Sequence, residues 1–202
     1  ERKGIPTLLD GFFEAYKENQ NLRLVLIGVG KLREYIEEFV RAHHLENEIT
    51  IIKWLPNEEL PVVLCASDIF VHPSEPHGGW EEQFGYSMAE ASACEVPVVA
   101  TNSGSIEDVV LNNKTGILVE ENNVEQLADA MIRLAGDELL RKEMGRAGRK
   151  FILENFSNQT VGLVDVGCKK FSGVTTFFDT IHPNLNMLIV ICKNFIGVGV
   201  YN

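Results

Sequence analysis

The chain predicts an α/β fold in which a parallel sheet lies between two layers of helices, and two observations carry that prediction. Short apolar, β-prone runs alternate with amphipathic helical runs from residue 7 to about residue 155. The runs also end on turn residues, as at Gly28-Val29-Gly30 after the first strand. Alternation of this kind is the pattern of strands joined by helical crossovers, which forces neighbouring strands to run parallel.

Each element follows from its period. Leu8, Leu9, Phe12, Phe13 and Tyr16 form a helical apolar stripe, and Leu22 to Ile27 form the first strand. Leu32, Tyr35, Ile36, Phe39 and Val40 restore the helical spacing. Ile49 to Ile52 is a second strand, Glu58 to Ala66 a helix and Ile69 to His72 a third strand. A helix is expected to start near Gly85, followed by strands at Pro97–Ala100 and Gly116–Val119. Helices over Val124–Ala135 and Glu138–Leu153 close the series. Sheets of this type bind ligands beyond the carboxyl ends of their strands. The informative loops are therefore those after residues 27, 52, 72 and 100.

After residue 157 the character changes. Residues 158–202 hold only five charges, net +1, against net −12 for residues 1–157. Glycine, threonine and β-branched residues replace the charged helical pattern, and Met187 to Cys192 is too short to span a bilayer. The expected organisation is a domain over 1–157 and an atypical tail over 158–202, disordered or read from a shifted frame.

A 202-residue chain fits one domain plus an appendage, with 45% hydrophobic and 23% charged residues typical of a globular protein. A net charge of −11 disfavours nucleic acid or anionic lipid as a partner, while leaving room for a local phosphate pocket. Cys65, Cys94, Cys168 and Cys192 are widely spaced with no CxxC pair, which reads as buried free thiols in a reducing compartment. No secretory leader is visible, so a cytoplasmic location is expected.

The segment Glu82-Gln83-Phe84-Gly85-Tyr86-Ser87-Met88-Ala89-Glu90-Ala91 carries the chemistry. A helix starting near Gly85 would present free N–H groups and partial positive charge to a diphosphate. Backbone amides at Phe84 and Gly85 would face it, and glycine permits close approach. Glu90 would lie roughly 7–8 Å along the helix axis, an offset suited to ribose hydroxyls. Glu82 would lie on the other side of the phosphates, where a sugar belongs. The alternative for two glutamates eight apart is a pair of surface charges. Gly28 and Gly30 follow a strand, but Arg33 stands where a dinucleotide fingerprint needs glycine, and a plain tight turn fits equally well. His77, in a glycine-containing loop, is either solvated or within reach of a sugar.

These residues resemble the retaining, GT-B fold glycosyltransferases of family 4 over nearly all of residues 1–157. Glu82, Phe84, Gly85, Glu90, Ala91, Ala93 and Pro97 to Ala100 match the family's E-G-F-G-x-x-x-x-E-A-M-A-x-G-x-P-V-V-A run. Asp68 to Ser74 resembles its D-x-F-V-x-P-S strand, and Trp54 to Leu60 its G-x-V-P-x-x-E-L element. Gly104 to Val110 and Thr115 to Val119 resemble G-G-x-x-E-x-V and T-G-L-L-V. Lys3-Gly4 and the leucines after it are similar to K-G-x-x-x-L, and Gly28 to Arg33 to the G-x-G-P-L-R loop.

The resemblance implies a Rossmann-like, three-layer half of a GT-B enzyme and sugar transfer with retention from a GDP- or UDP-sugar. It implies that Glu82 contacts the donor sugar, Glu90 the ribose, and Lys3 the diphosphate. It places the base against the backbone at Lys53 and Trp54, and Gly28 and Gly30 at the pocket's border. No cofactor is expected and no metal, since no Asp-x-Asp motif is present. The acceptor, and any membrane association, would belong to an amino-terminal domain outside this chain. The chain departs from the family at Gln83 and Glu95, where glycine is usual, and at Val29, where acidic residues are frequent. The alternatives are a non-catalytic nucleotide-sugar-binding module and a GT-B epimerase. The spacing of Glu82 and Glu90 and the Pro97–Ala100 strand argue against the latter.

Overall fold

The computed structural model describes residues 3–28, 30–56, 59–76, 78, 84–156 and the strand at 188–192. Its elements, in order, are α1 (Ile5–Glu18), β1 (Arg23–Ile27), α2 (Arg33–His43), β2 (Ile49–Ile52), α3 (Leu60–Cys65) and β3 (Ile69–His72). They continue with α4 (Tyr86–Ala93), β4 (Val98–Thr101), a 3-10 turn (Ile106–Asp108), β5 (Gly116–Val119), α5 (Val124–Gly136), α6 (Glu138–Asn155) and β6 (Leu188–Cys192).

Local chemistry sets the helix ends. Pro6 lies in the first turn of α1, where its missing N–H costs nothing. The Asn123 side chain accepts from the Gln126 amide and that of Asp137 from the Leu140 amide, both at 2.9 Å, capping α5 and α6. At the end of α4 the Val96 amide donates to Ala91 O and the Glu95 amide to Ser92 O, each at 3.0 Å. This is the paired-carbonyl cap that requires a left-handed residue, and Glu95 takes that position at φ 60°. The sequence departure from glycine is therefore a strained one. Glu95→Gly is expected to raise stability by about 1 kcal/mol, read as a higher urea midpoint at unchanged slope.

The sheet order is β2-β1-β6-β3-β4-β5. β1 pairs parallel with β2, and β4 parallel with both β3 and β5. β6 sits between β1 and β3 and runs antiparallel to both, with Val190 opposite Val25 on one side and Phe70 on the other. Five strands therefore share one direction, as expected, and the sixth opposes them. The apolar run at 188–192 suits a strand paired on both sides, but its direction is not written in its composition.

Side chains alternate across the strands and build two cores. Leu24, Leu26, Ile69, Val71, Val99 and Ile117 pack with α1, α2 and α5 through Leu8, Leu9, Phe12, Ile36 and Leu127. Val25, Ile27, Phe70, Val98 and Ala100 face the other way, onto Leu60 and Leu64 of α3, Met88 of α4 and Ile152 of α6. The result is the expected three layers.

One departure concerns the cysteines. Cys94 is a buried free thiol, as expected. Cys65, at the end of α3, is disulfide-bonded, against the expectation of free thiols throughout. Pairing depends on which chain segments meet in space, and spacing does not reveal that. Among the described residues, no helix is long and apolar enough to cross a membrane.

Candidate functional site

Because β1 to β5 share one direction, their carboxyl ends open on a single edge, and the informative loops gather there. Gly28 leaves β1 and donates its amide to Ile52 O at 3.0 Å, which joins the loops after β1 and β2. Gly30 follows, with its carbonyl accepting from Arg33 N at 3.2 Å and open space where a side chain would point. Lys53 is exposed, and Trp54 beside it is 73% exposed, an unusually open position for so large an apolar ring.

The start of α1 reaches the same edge. A Cβ on Gly4 would lie 1.8 Å from Pro73 O, so only glycine lets this turn meet the loop after β3. Thr7 Oγ1 donates to Glu75 Oε1 at 2.6 Å and fastens the contact. Lys3, half-buried, precedes that junction directly.

Gly85 caps α4 in the left-handed conformation, at φ 70° and ψ 56°, and its carbonyl accepts from Met88 N at 2.9 Å. The amides of Tyr86 and Ser87 have no carbonyl one turn back within the helix, so the end of α4 is a natural seat for an anion. The Phe84 ring packs at 4.9 Å from Tyr86 and 5.1 Å from Phe156, centroid to centroid. That ring holds α4 against the end of α6.

Glu90 lies inside α4, 2% exposed, and neither carboxyl oxygen has a hydrogen-bond partner. Burial pushes its pKa up to about 8. The carboxyl expected to grip ribose hydroxyls is thus enclosed in this conformation, and its burial favours the protonated form. Glu82, Gln83 and His77 lie outside the described residues.

The structure adds polar groups at this edge that residue-by-residue reading did not single out. His72, at the end of β3, lies 3.0 Å from Ser74 Oγ through Nε2, and both are buried. Thr101, at the end of β4, donates its hydroxyl to Ser74 O. Ser103, in the following loop, keeps a buried hydroxyl without a partner. Their one sequence signal is position, immediately after strands that end on the same edge.

A family model described as glycosyl transferases group 1 matches residues 1–151. The chain belongs to this family. Among curated members, a GDP-mannose-dependent alpha-(1-6)-phosphatidylinositol monomannoside mannosyltransferase of Mycolicibacterium smegmatis is 31% identical over 163 residues, 80% of this chain and 43% of that protein. The capsular polysaccharide biosynthesis glycosyltransferase CapM of Staphylococcus aureus is 31% identical over 161 residues, 79% of this chain and 40% of CapM. The chain thus spans less than half the length of these relatives. Among solved structures, S. aureus TarM, crystallised as a mutant with Fondaparinux, alpha-GlcNAc-glycerol and UDP, superposes with a TM-score of 0.70 at 25% identity. That match covers 79% of this chain and 31% of TarM. The C-terminal domain of LpcC, a group 1 glycosyl transferase of Francisella tularensis, gives 0.68 at 25% identity, covering 77% of this chain and 80% of that domain. The fold of this group 1 chain is accordingly the Rossmann-like, donor-side half of a GT-B glycosyltransferase.

Proposed function

We propose that this chain binds a GDP- or UDP-sugar along the carboxyl edge of its sheet, as the donor half of a retaining hexosyltransferase. The observation that carries the reading is the seat at the start of α4, where a left-handed Gly85 opens a helix whose Glu90 is buried without a partner. A diphosphate placed at that helix end brings a ribose toward Glu90. Lys3, the α4 dipole and the loop amides then face the charge that builds on the departing diphosphate.

In the reaction, the bond between the anomeric carbon and the diphosphate oxygen breaks, and its electron pair leaves with the nucleotide. The acceptor hydroxyl oxygen bonds to the same face of the sugar, and its proton passes to the departing diphosphate oxygen. Glu82 is assigned to the sugar, the backbone at Lys53 and Trp54 to the base, and Gly28 and Gly30 to the rim. No metal or organic cofactor is assigned. Cytoplasmic polysaccharide or glycolipid assembly is the setting that fits a nucleotide-sugar donor, with the acceptor held by a second domain.

Calorimetric titration with UDP-glucose and GDP-mannose tests the donor site. Saturable binding of at least one is expected, weakened at least tenfold by Glu90→Ala through loss of hydrogen bonds to a charged group. Absence of binding at millimolar ligand would sink the reading. Sugar transfer after an amino-terminal domain is supplied would separate a transferase from a binding module without catalysis.

A further inference from the structure

Building on the donor-site reading, we infer that Glu90 is a neutral acid in the free protein and surrenders its proton when a nucleotide sugar reaches it. Donor capture and proton release are then a single event, and donor affinity depends on pH through this one side chain.

The basis is geometric. Glu90 lies within a helix, 2% exposed, with both carboxyl oxygens fully enclosed and without a hydrogen-bond donor among the described residues. An ionised carboxylate in such a place lacks both water and partner, which costs several kcal/mol, and protonation removes most of that cost. Among the described residues, the titratable or charged groups around α4 do not relieve it. Tyr86, at the start of α4, is exposed, and Cys94 lies just past its end, one turn on from Glu90, its thiol pushed up to about 12 by burial and then by Glu90's charge, with Arg149 pulling the other way. On α6, the two charged side chains that are not exposed are Arg141 and Arg149. Arg149 donates to Ala93 O, while Arg141 donates to Leu134 O and Ala135 O and pairs with Asp68 at 3.3 Å. On β3, His72 is engaged with Ser74, and on α3 Cys65 is disulfide-bonded. β4 carries no titratable residue. Burial alone sets the state of Glu90, raising its pKa to about 8.

Two vicinal hydroxyls of a ribose supply what the site lacks. Each donates a hydrogen bond to a carboxylate, and such bonds favour the charged form. The free protein holds the proton below about pH 8, so binding at neutral pH must expel it. Affinity is therefore highest at and above the free-state pKa and falls as the pH drops below it. The opposite arrangement, in which a neutral acid donates to a hydroxyl, expels no proton and leaves affinity flat. Proton counting distinguishes the two.

The experiment is titration calorimetry at about pH 7 in buffers of different ionisation heat, with UDP-glucose and GDP-mannose as probes. Their diphosphates stay ionised throughout the range used, so the ligand contributes no proton. Close to one proton released per donor bound is expected, with affinity rising about tenfold from pH 6 to 7 and levelling above about pH 8. Glu90→Gln should release no proton and show a flat affinity profile. For a variant too weak to titrate, infrared difference spectra of the unaltered protein report the same event as loss of a protonated-carboxyl band on donor addition. Binding without proton release, release that persists in Glu90→Gln, or a carboxyl band unmoved by donor would each overturn the inference and leave the donor site standing. Failure of either probe to bind in any buffer would instead remove the donor reading on which it rests.

Discussion

Replacing Glu90 with methionine is expected to stabilise the free protein by about 3 kcal/mol at pH 7 while disabling donor binding. The stability gain follows from linkage. Glu90's pKa is about 8 in the folded chain against an ordinary 4.5, so the folded state keeps a proton that the unfolded chain releases. The contribution of this group is fully present below about pH 4.5 and is lost progressively as the pH rises to about 8. At 1.36 kcal/mol per pH unit, roughly 3 kcal/mol has gone by pH 7. Methionine has a similar volume and no charge, and it also removes two enclosed oxygens without partners. Urea denaturation of both proteins at pH 5 and pH 7 checks this, with the gap between them widening as the pH rises. Parallel pH profiles would show that the carboxyl is solvated or paired after all. A variant that bound UDP-glucose or GDP-mannose undiminished would contradict the ribose assignment. Opposite signs on stability and binding are what a functional carboxyl inside a helix should produce, because the ligand supplies the partner that the fold withholds.

Removing residues 158–202 is expected to abolish cooperative unfolding. β6 links the β2-β1 pair to the β3-β4-β5 group, pairing with β1 from Arg23 to Ile27 and with β3 at Ile69 and Phe70. Without it, β1 and β3 present two bare edges inside the molecule, each a row of backbone groups deprived of both water and partners. The loss is comparable with the whole of a domain's usual stability of about 5–15 kcal/mol. A gentler version keeps the full chain and changes Val190, which faces Val25 and Phe70 across the two ladders, to proline. A proline there removes an amide from the middle of a sheet and should cost about 3 kcal/mol or more. Circular dichroism through a urea series reads both. A chain ending at residue 157 with an unchanged midpoint would mean that β1 and β3 can close directly on each other, and that the 1–157 unit is self-sufficient.

The layered fold was legible because it rests on local periodicity. The stripe Leu8, Leu9, Phe12 identifies a buried helix face, and Val98 to Ala100 a strand covered on both sides. Glu95 was legible as an anomaly, since a cap of this kind needs a left-handed residue whichever side chain is present. The place of Glu90 was legible through spacing, which puts it inside the helix that Gly85 opens.

Other features depend on groups that meet only in the folded chain. The pairing of Cys65, the insertion of 188–192 between β1 and β3 and its reversed direction all join residues remote in sequence. So does the Thr7–Glu75 bond, which brings the start of α1 to the carboxyl edge. Glu90 shows the division most clearly. Its place one and a half turns into a helix behind a glycine cap is a matter of local order, set by the chain's own period. Its protonation is not, because desolvation depends on what every neighbouring element encloses, and that sum exists only once α4, α6 and the sheet have packed.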